Sequence, residues 1–259
     1  MKEFWFNWAQ SKNYIDIFEG DFLYICQLHT IEQNLDHHPE GNVENHTRLV
    51  MDIINKEPLE PKDKFILMMT ALLHDIGKIK CTELKDGKII SPGHAKIGGE
   101  MAIEFFNFYN IDIVDVDIQK IIKLIEFHLY HINFKYTHNK IKFITKLKRK
   151  LYPATIDELI ILINADVNGR GKDARSSHLE TIESFKKLAS EIVIDNKNEI
   201  KPILMGRHLI DKRLKPSVHF TKILNNAIDA QINNRFIDID SALIWLDEYL
   251  NNYNYQTLT

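Results

Sequence analysis

The stretch ALLHDIGKIK (Ala71–Lys80) closes an oily run, FILMMTALL (65–73), with a histidine and an aspartate side by side. Phe65, Ile66, Met68, Met69, Leu72 and Leu73 recur at helical spacing, so the run predicts a helix that delivers His74 and Asp75 at its end. Gly77 reads as the stop of that helix and Lys78 as the first cation beyond it. Such a pair is either the ordinary polar finish of a helix or half of a metal site. What the rest of the chain brings to meet it decides between the two.

Most of the surrounding sequence also reads as helix. Val43, Leu49, Val50 and Ile53 mark an earlier helix, closed by Pro58 and Pro61. HAKIGGEMAIEFFNFY (94–109) and VDIQKIIKLIEFHLYH (116–131) follow, the second with Ile118, Ile121, Ile122 and Ile125 on one face and Lys120 and Lys123 toward water. TIDELIILINADVNG (155–169) opens on Thr155 with Glu158 three residues later, the spacing of a capping box. A further helix is expected from about His178 to Val193, and three short ones lie within 204–210, 219–232 and 239–250. Between them, CTELKDGKIISPG (81–93) is too rich in Gly, Pro and Ser for a helix, and its DG predicts a small hairpin or lid near 85–90. Asp115 and Asp117 read as a loop and helix cap. The predicted architecture is an all-α bundle over residues 1–195, with a C-terminal helical extension over 196–259 packed on it.

Composition narrows the function classes. Hydrophobic residues make up 44% and charged residues 27% of 259, a globular balance with no disorder signature. A formal charge of -3 gives no global pull toward nucleic acid or an acidic membrane. The longest oily runs are too short to span a bilayer, the start has no apolar signal-type region, and Cys26 and Cys81 are too few for a disulfide scaffold. A cytoplasmic, non-membrane protein is expected. No glycine-rich phosphate loop of the GxGxxG or Walker type is present.

The chemistry lies in the histidines and two aspartates. Twelve histidines is a high count, and several sit at the polar ends of oily helices: His46, His74, His94, His128 and His131. Asp166 follows ELIILINA (158–165). It is either the first polar residue leaving the core or a buried carboxylate, and a buried carboxylate requires a partner or a metal. Imidazole and carboxylate together suit Mn, Fe, Co, Ni, Zn or Mg, and the absence of a CxxC pair argues against a structural zinc site.

His46, His74–Asp75 and Asp166 resemble the H…HD…D signature of the HD superfamily of metal-dependent phosphohydrolases. HHPEGNVENHTRLVMDI (37–53), residues 72–102, IEFHLYH (125–131) and ADVNGRG (165–171) resemble more closely the HD domain attached to bacterial tRNA nucleotidyltransferases, the CCA-adding enzymes. Residues 203–246 are similar to the helical segment that follows that domain, although KPSVHF (215–220) departs from the family's Pro-Gly turn. The resemblance implies one or two divalent metal ions held by His46, His74, Asp75, His94, His128 and Asp166. It assigns Asp75, Lys78, His128 and His131 to catalysis, and Lys78, His131 and Arg170 to substrate phosphate, with Lys172 and Arg175 as weaker phosphate candidates. The family's nucleotidyltransferase head, with its Gly-rich turn and paired aspartates, has no counterpart in these 259 residues, so CCA addition is not expected.

The implied activity is hydrolysis of nucleotide or RNA-end phosphoesters by a metal-bound water, of the 2',3'-cyclic phosphodiesterase, 2'-nucleotidase or phosphatase type. Two alternatives stay open. One is a non-catalytic tRNA- or RNA-binding module, for which the basic NKIKFITKLKRK (139–150) would supply an RNA contact. The other is a signalling-nucleotide hydrolase of the same superfamily.

Overall fold

The computed structural model describes residues 1–170, 172–194 and 201–252; among residues 172–178, 192–194 and 218 the backbone alone is described. The chain divides into two compact units, Met1–Glu191 and Ile192–Thr259.

The first unit contains α1 (Lys2–Gln10), two 3-10 turns (Tyr14–Glu19 and Ile25–Thr30), α2 (Val43–Lys56), α3 (Pro61–Leu73) and the short α4 (Lys78–Cys81). A hairpin of β1 (Glu83–Lys85) and β2 (Lys88–Ile90) follows, antiparallel with Leu84 opposite Ile89. Asp86 and Gly87 turn it at positive φ, the geometry for which DG is suited. Then come α5 (His94–Phe108), α6 (Val116–Phe127), α7 (Tyr130–Lys135), α8 (Lys140–Leu151), α9 (Ile156–Asn168) and α10 (Lys172–Ile194).

Helix α3 is the axis of this unit. Pro61 opens it at its first turn, where a missing N–H costs nothing, and every residue from Phe65 to Leu73 is buried. A helix apolar on all sides has no solvent face to present, and α1, α2, α6 and α9 pack around it. Its C-terminal end therefore carries His74 and Asp75 into the interior, where a surface helix would have carried them into water.

Several local expectations are corrected. The buried face of α2 is Val43, His46, Thr47, Val50, Met51 and Ile54, whereas Leu49 is 41% exposed. The stripe follows i, i+3, i+4, i+7, and His46 occupies a core position within it. Gly77 is not a left-handed stop: its backbone is right-handed helical, at φ -60 and ψ -23. Its role is close approach, because a Cβ there would overlap the His94 carbonyl and lie 2.6 Å from the Gly98 nitrogen. Helix α6 ends at Phe127, so His128 caps it and His131 belongs to the first turn of α7. Helix α10 starts at Lys172, six residues before the expected His178, since Lys, Ala and Arg are strong helix formers. The side chains of Lys172 and Arg175 lie outside the described residues.

The Thr155–Glu158 capping box forms as expected, and Asp115 caps α6 by accepting from the Asp117 nitrogen. Lys120 donates to the second oxygen of Glu158 at 2.6 Å, so the cap also ties α6 to α9. Thr155→Ala is expected to cost about 1 kcal/mol through loss of the cap. Thermal unfolding checks this, with a midpoint lowered by about 2–4 °C.

The second unit holds α11 (Gly206–Asp211), α12 (Val218–Ile232) and α13 (Ile239–Asn252) around a small core of Leu204, Leu209, Ile223, Ala227, Phe236 and Leu246. Among the described residues, no helix is long and apolar enough to cross a membrane.

Candidate metal centre

Five helix ends and faces of the first unit converge on Asp75. His46 comes from the buried face of α2, and His74 with Asp75 from the end of α3. His94 is the first residue of α5, His128 caps α6, and Asp166 lies in the last turn of α9. Asp75 divides its two oxygens between two groups. Oδ2 lies 3.3 Å from His74 Nε2 and 4.0 Å from His46 Nε2, while Oδ1 lies 3.3 Å from His94 Nε2 and 3.8 Å from His128 Nε2. On the first side, Asp166 Oδ1 stands 3.0 Å from His46 Nε2.

Each of these imidazoles is held by its other nitrogen. His74 Nδ1 donates to the Ala71 carbonyl at 2.7 Å, His94 Nδ1 to the Ser91 carbonyl at 2.8 Å and His128 Nδ1 to the Ile125 carbonyl at 2.7 Å. A carbonyl oxygen only accepts, so Nδ1 carries the proton in all three, and Nε2 presents a lone pair toward Asp75. Burial pushes His128 down to about 3 and His94 below its ordinary value, so both rings are neutral at pH 7.

The carboxylates are charged despite their surroundings. Burial by itself would raise Asp75, but the Lys78 ammonium beside it holds it well below the ordinary carboxylate range. Asp166 is held down in the same way, by Arg170 and His46. Lys78 Nζ donates to Asp75 Oδ2 at 2.7 Å and to Gln33 Oε1 at 2.6 Å, and is itself buried. Arg170 reaches back one turn to grip both oxygens of Asp166, its NH2 at 2.9 Å from each.

The donors fit a divalent cation. His74 Nε2 and Asp75 Oδ1 are buried with no hydrogen-bond partner, a costly state for polar atoms unless a cation satisfies them. Atoms each about 2.1 Å from one ion stand roughly 3–3.5 Å apart, the spacing of the nearest Nε2–carboxylate pairs here. Among the described residues three such groups are close enough to hold an ion: His46–His74–Asp75 and Asp75–His94–His128, joined through Asp75, and His38–Glu40–His46 behind His46. The site thus has donors for one or two divalent ions.

An open cavity of about 450 Å³ lies against the centre, reached by Asp75, Lys78, His94, His128 and Arg170. His131 is wholly buried, its Nδ1 is 3.3 Å from the His128 carbonyl, and it does not line this cavity.

Three residues with no assigned role in the sequence reading join the site. Gln33 holds Lys78, and Glu40 Oε1 lies 2.7 Å from His46 Nδ1 and 2.8 Å from His38 Nδ1. Burial pushes His38 down to about 4, while His38 and His46 draw Glu40 down to about 2 against its burial. The signal available was the polar loop QNLDHHPEGN (33–42) running into a helix whose His46 falls on the apolar stripe.

A cage of imidazoles and carboxylates at the foot of an open cavity, built on helix ends, defines a metal-dependent hydrolase site on an all-helical frame. The family model described as HD domain matches residues 43–167. Residues 43–167 thus have the HD-domain fold, and the site they build has donors that suit a metal-dependent phosphohydrolase. Gln33, His38, Glu40 and Arg170 lie outside the matched span. No curated protein matches the sequence.

Proposed function

We propose that this chain hydrolyses phosphoesters of nucleotides or RNA ends, of the 2',3'-cyclic phosphodiesterase, 2'-nucleotidase or phosphatase type. The observation that carries the reading is the Asp75 carboxylate, shared between two histidine groups beside a cavity that Arg170 and Lys78 also reach. The resemblance of residues 37–53, 72–102 and 165–171 to the HD domain of CCA-adding enzymes supports the nucleotide or RNA-end substrate class.

A divalent cation bound by His46, His74, Asp75 and Asp166, with a second toward His94 and His128, would acidify water and neutralise charge on phosphoryl oxygens. The protein's own groups do the rest. Lys78 keeps Asp75 ionised and holds its Oδ2 by a hydrogen bond. Arg170 is braced by Asp166 with its guanidinium at the cavity wall, where it can meet a phosphate oxygen. His128 has its Nδ1 committed to a backbone carbonyl, so Nε2 is the ring atom able to exchange a proton with a leaving group. His131 would act through His128, as a positioning residue.

The test is a hydrolysis panel on chelator-stripped protein with each metal restored in turn. It compares 2',3'-cyclic nucleotides, nucleoside 2'-monophosphates, dinucleoside polyphosphates and bis-phosphate esters. The expected result is turnover of one nucleotide class that vanishes with chelator and returns with metal. No turnover of any ester by metal-loaded protein would defeat the proposal. Arg170→Ala is expected to raise KM for the substrate found, since the guanidinium would contact phosphate in ground and transition states alike.

A second reading is favoured by α8, whose twelve residues carry Lys140, Lys142, Lys146, Lys148, Arg149 and Lys150 and no acid. Salt-dependent RNA binding without turnover, by metal-loaded protein, would select an RNA-binding module instead.

A further inference from the structure

Glu40 stands behind the cage, on the far side of His46 from Asp166. Its Oε1 is hydrogen-bonded to His38 Nδ1 at 2.8 Å and stands 2.7 Å from His46 Nδ1, an ionic contact without hydrogen-bond geometry. Both separations are shorter than the roughly 3–3.5 Å expected between donors that share one ion. His38, Glu40 and His46 are also grouped closely enough to hold a cation, but these short separations fit better a clamp in which the carboxylate accepts from His38 and makes a close ionic contact with His46. One oxygen meets both rings.

The loop that carries Glu40 is built to hold it there. Glu32 and Asn42 form an antiparallel bridge, the Gln33 nitrogen donates to the Gly41 carbonyl at 2.9 Å, and Gln33 Nε2 donates to the Asn42 carbonyl at 3.0 Å. Asn42 caps α2 through the Asn45 nitrogen, and the Asn45 side chain donates to the Glu40 carbonyl at 3.0 Å. Gly41 turns the chain at φ +98, a conformation other residues rarely adopt. Glu40 is thus anchored to the first turn of the helix that bears His46.

We propose that Glu40 is a positioning residue that holds His46 with Nδ1 toward the loop and Nε2 toward Asp166 and Asp75, and thereby sets the affinity of the centre for its cation. A carboxylate behind a ligating imidazole fixes the ring's tautomer and orientation and makes its other nitrogen a stronger donor, and losing such a partner lowers metal affinity by about 10- to 100-fold. The inference rests on reading the cage as a cation site, and not on any particular substrate.

Calorimetric titration of the chelator-stripped 259-residue chain with Mn2+ and with Zn2+ tests it. Glu40→Ala is expected to weaken binding by about 10- to 100-fold. Glu40→Gln, which keeps an acceptor oxygen in place, is expected to lose less. Unfolding midpoints of the metal-free proteins are measured alongside. A lowered midpoint with wild-type cation affinity in the folded Glu40→Ala protein would show a structural role only and overturn the proposal. Should the alanine variant fail to fold, Glu40→Gln decides: several-fold weaker binding supports the clamp, and wild-type affinity overturns it. Wild-type protein that binds neither ion would defeat the reading of the cage itself, an outcome distinct from an unaffected variant.

Discussion

Asp75→Asn is expected to abolish cation binding and phosphoester hydrolysis together, with activity falling by on the order of 10³-fold, the upper range for removing one centre of charge stabilisation. Both oxygens of Asp75 are in use, one toward His74 and His46 and the other toward His94 and His128. Asparagine keeps the shape and can still accept from Lys78, but it has one acceptor oxygen in place of two and no charge. The two histidine groups then lose the ligand that joins them. Stability of the metal-free protein should also fall, because the buried Lys78 ammonium loses its countercharge while keeping an acceptor. Asp75→Ala is the sharper perturbation, because it leaves the buried Lys78 ammonium with Gln33 alone. Breaking a buried pair from one side costs about 3–5 kcal/mol. Metal content and thermal unfolding, measured on both variants, separate the two effects. Full activity in Asp75→Asn would rule out Asp75 as the shared ligand.

The second large effect is expected from Gly77→Ala. Gly77 packs directly on the first turn of α5, and an added Cβ would collide with the His94 carbonyl and the Gly98 nitrogen, both backbone atoms. Rotating a side chain cannot relieve such a clash, so α4 and α5 must separate. Overpacking of this kind costs about 1–3 kcal/mol, and more when backbone must move. The consequence reaches the site, because the backbone displaced is that of His94, whose Nε2 faces Asp75 Oδ1 at 3.3 Å. Gly77→Ala is expected to lower the unfolding midpoint by several degrees and to weaken cation binding at the His94–His128 side more than at the His46–Asp166 side. A titration showing both sides weakened equally, or neither, would contradict this account of the glycine.

Much of the site was legible in the sequence because buried polar residues are expensive. His46 on an apolar stripe, His74–Asp75 at the end of a wholly apolar helix and Asp166 after LIILINA each break a hydrophobic pattern where a core residue is due. The helices were readable for the same reason, from periodicity, and the Thr155–Glu158 box and the Asp86–Gly87 turn from local chemistry. What periodicity does not encode is which separate elements touch. Gly77 reads as a stop on local grounds, and only its contact with α5 reveals that it is there to let two backbones meet. The roles of Gln33, His38 and Glu40 were illegible because irregular loops carry no period, and a glutamate in a polar loop looks like any solvated charge. The early start of helix α10 was missed because the glycines of VNGRGKDARSSH suggest a loop, while Lys172, Ala174 and Arg175 favour helix.

The most direct test of the central claim is anomalous X-ray scattering from crystals of the 259-residue chain loaded with Mn2+ or Zn2+, recorded at the absorption edge of the metal. The account predicts one or two peaks within about 2.5 Å of an Asp75 oxygen. The first should also contact the Nε2 atoms of His46 and His74 and an oxygen of Asp166, and a second, if both positions fill, those of His94 and His128. Metal-loaded crystals with no anomalous peak at Asp75, from protein that still hydrolyses its phosphoester, would contradict it.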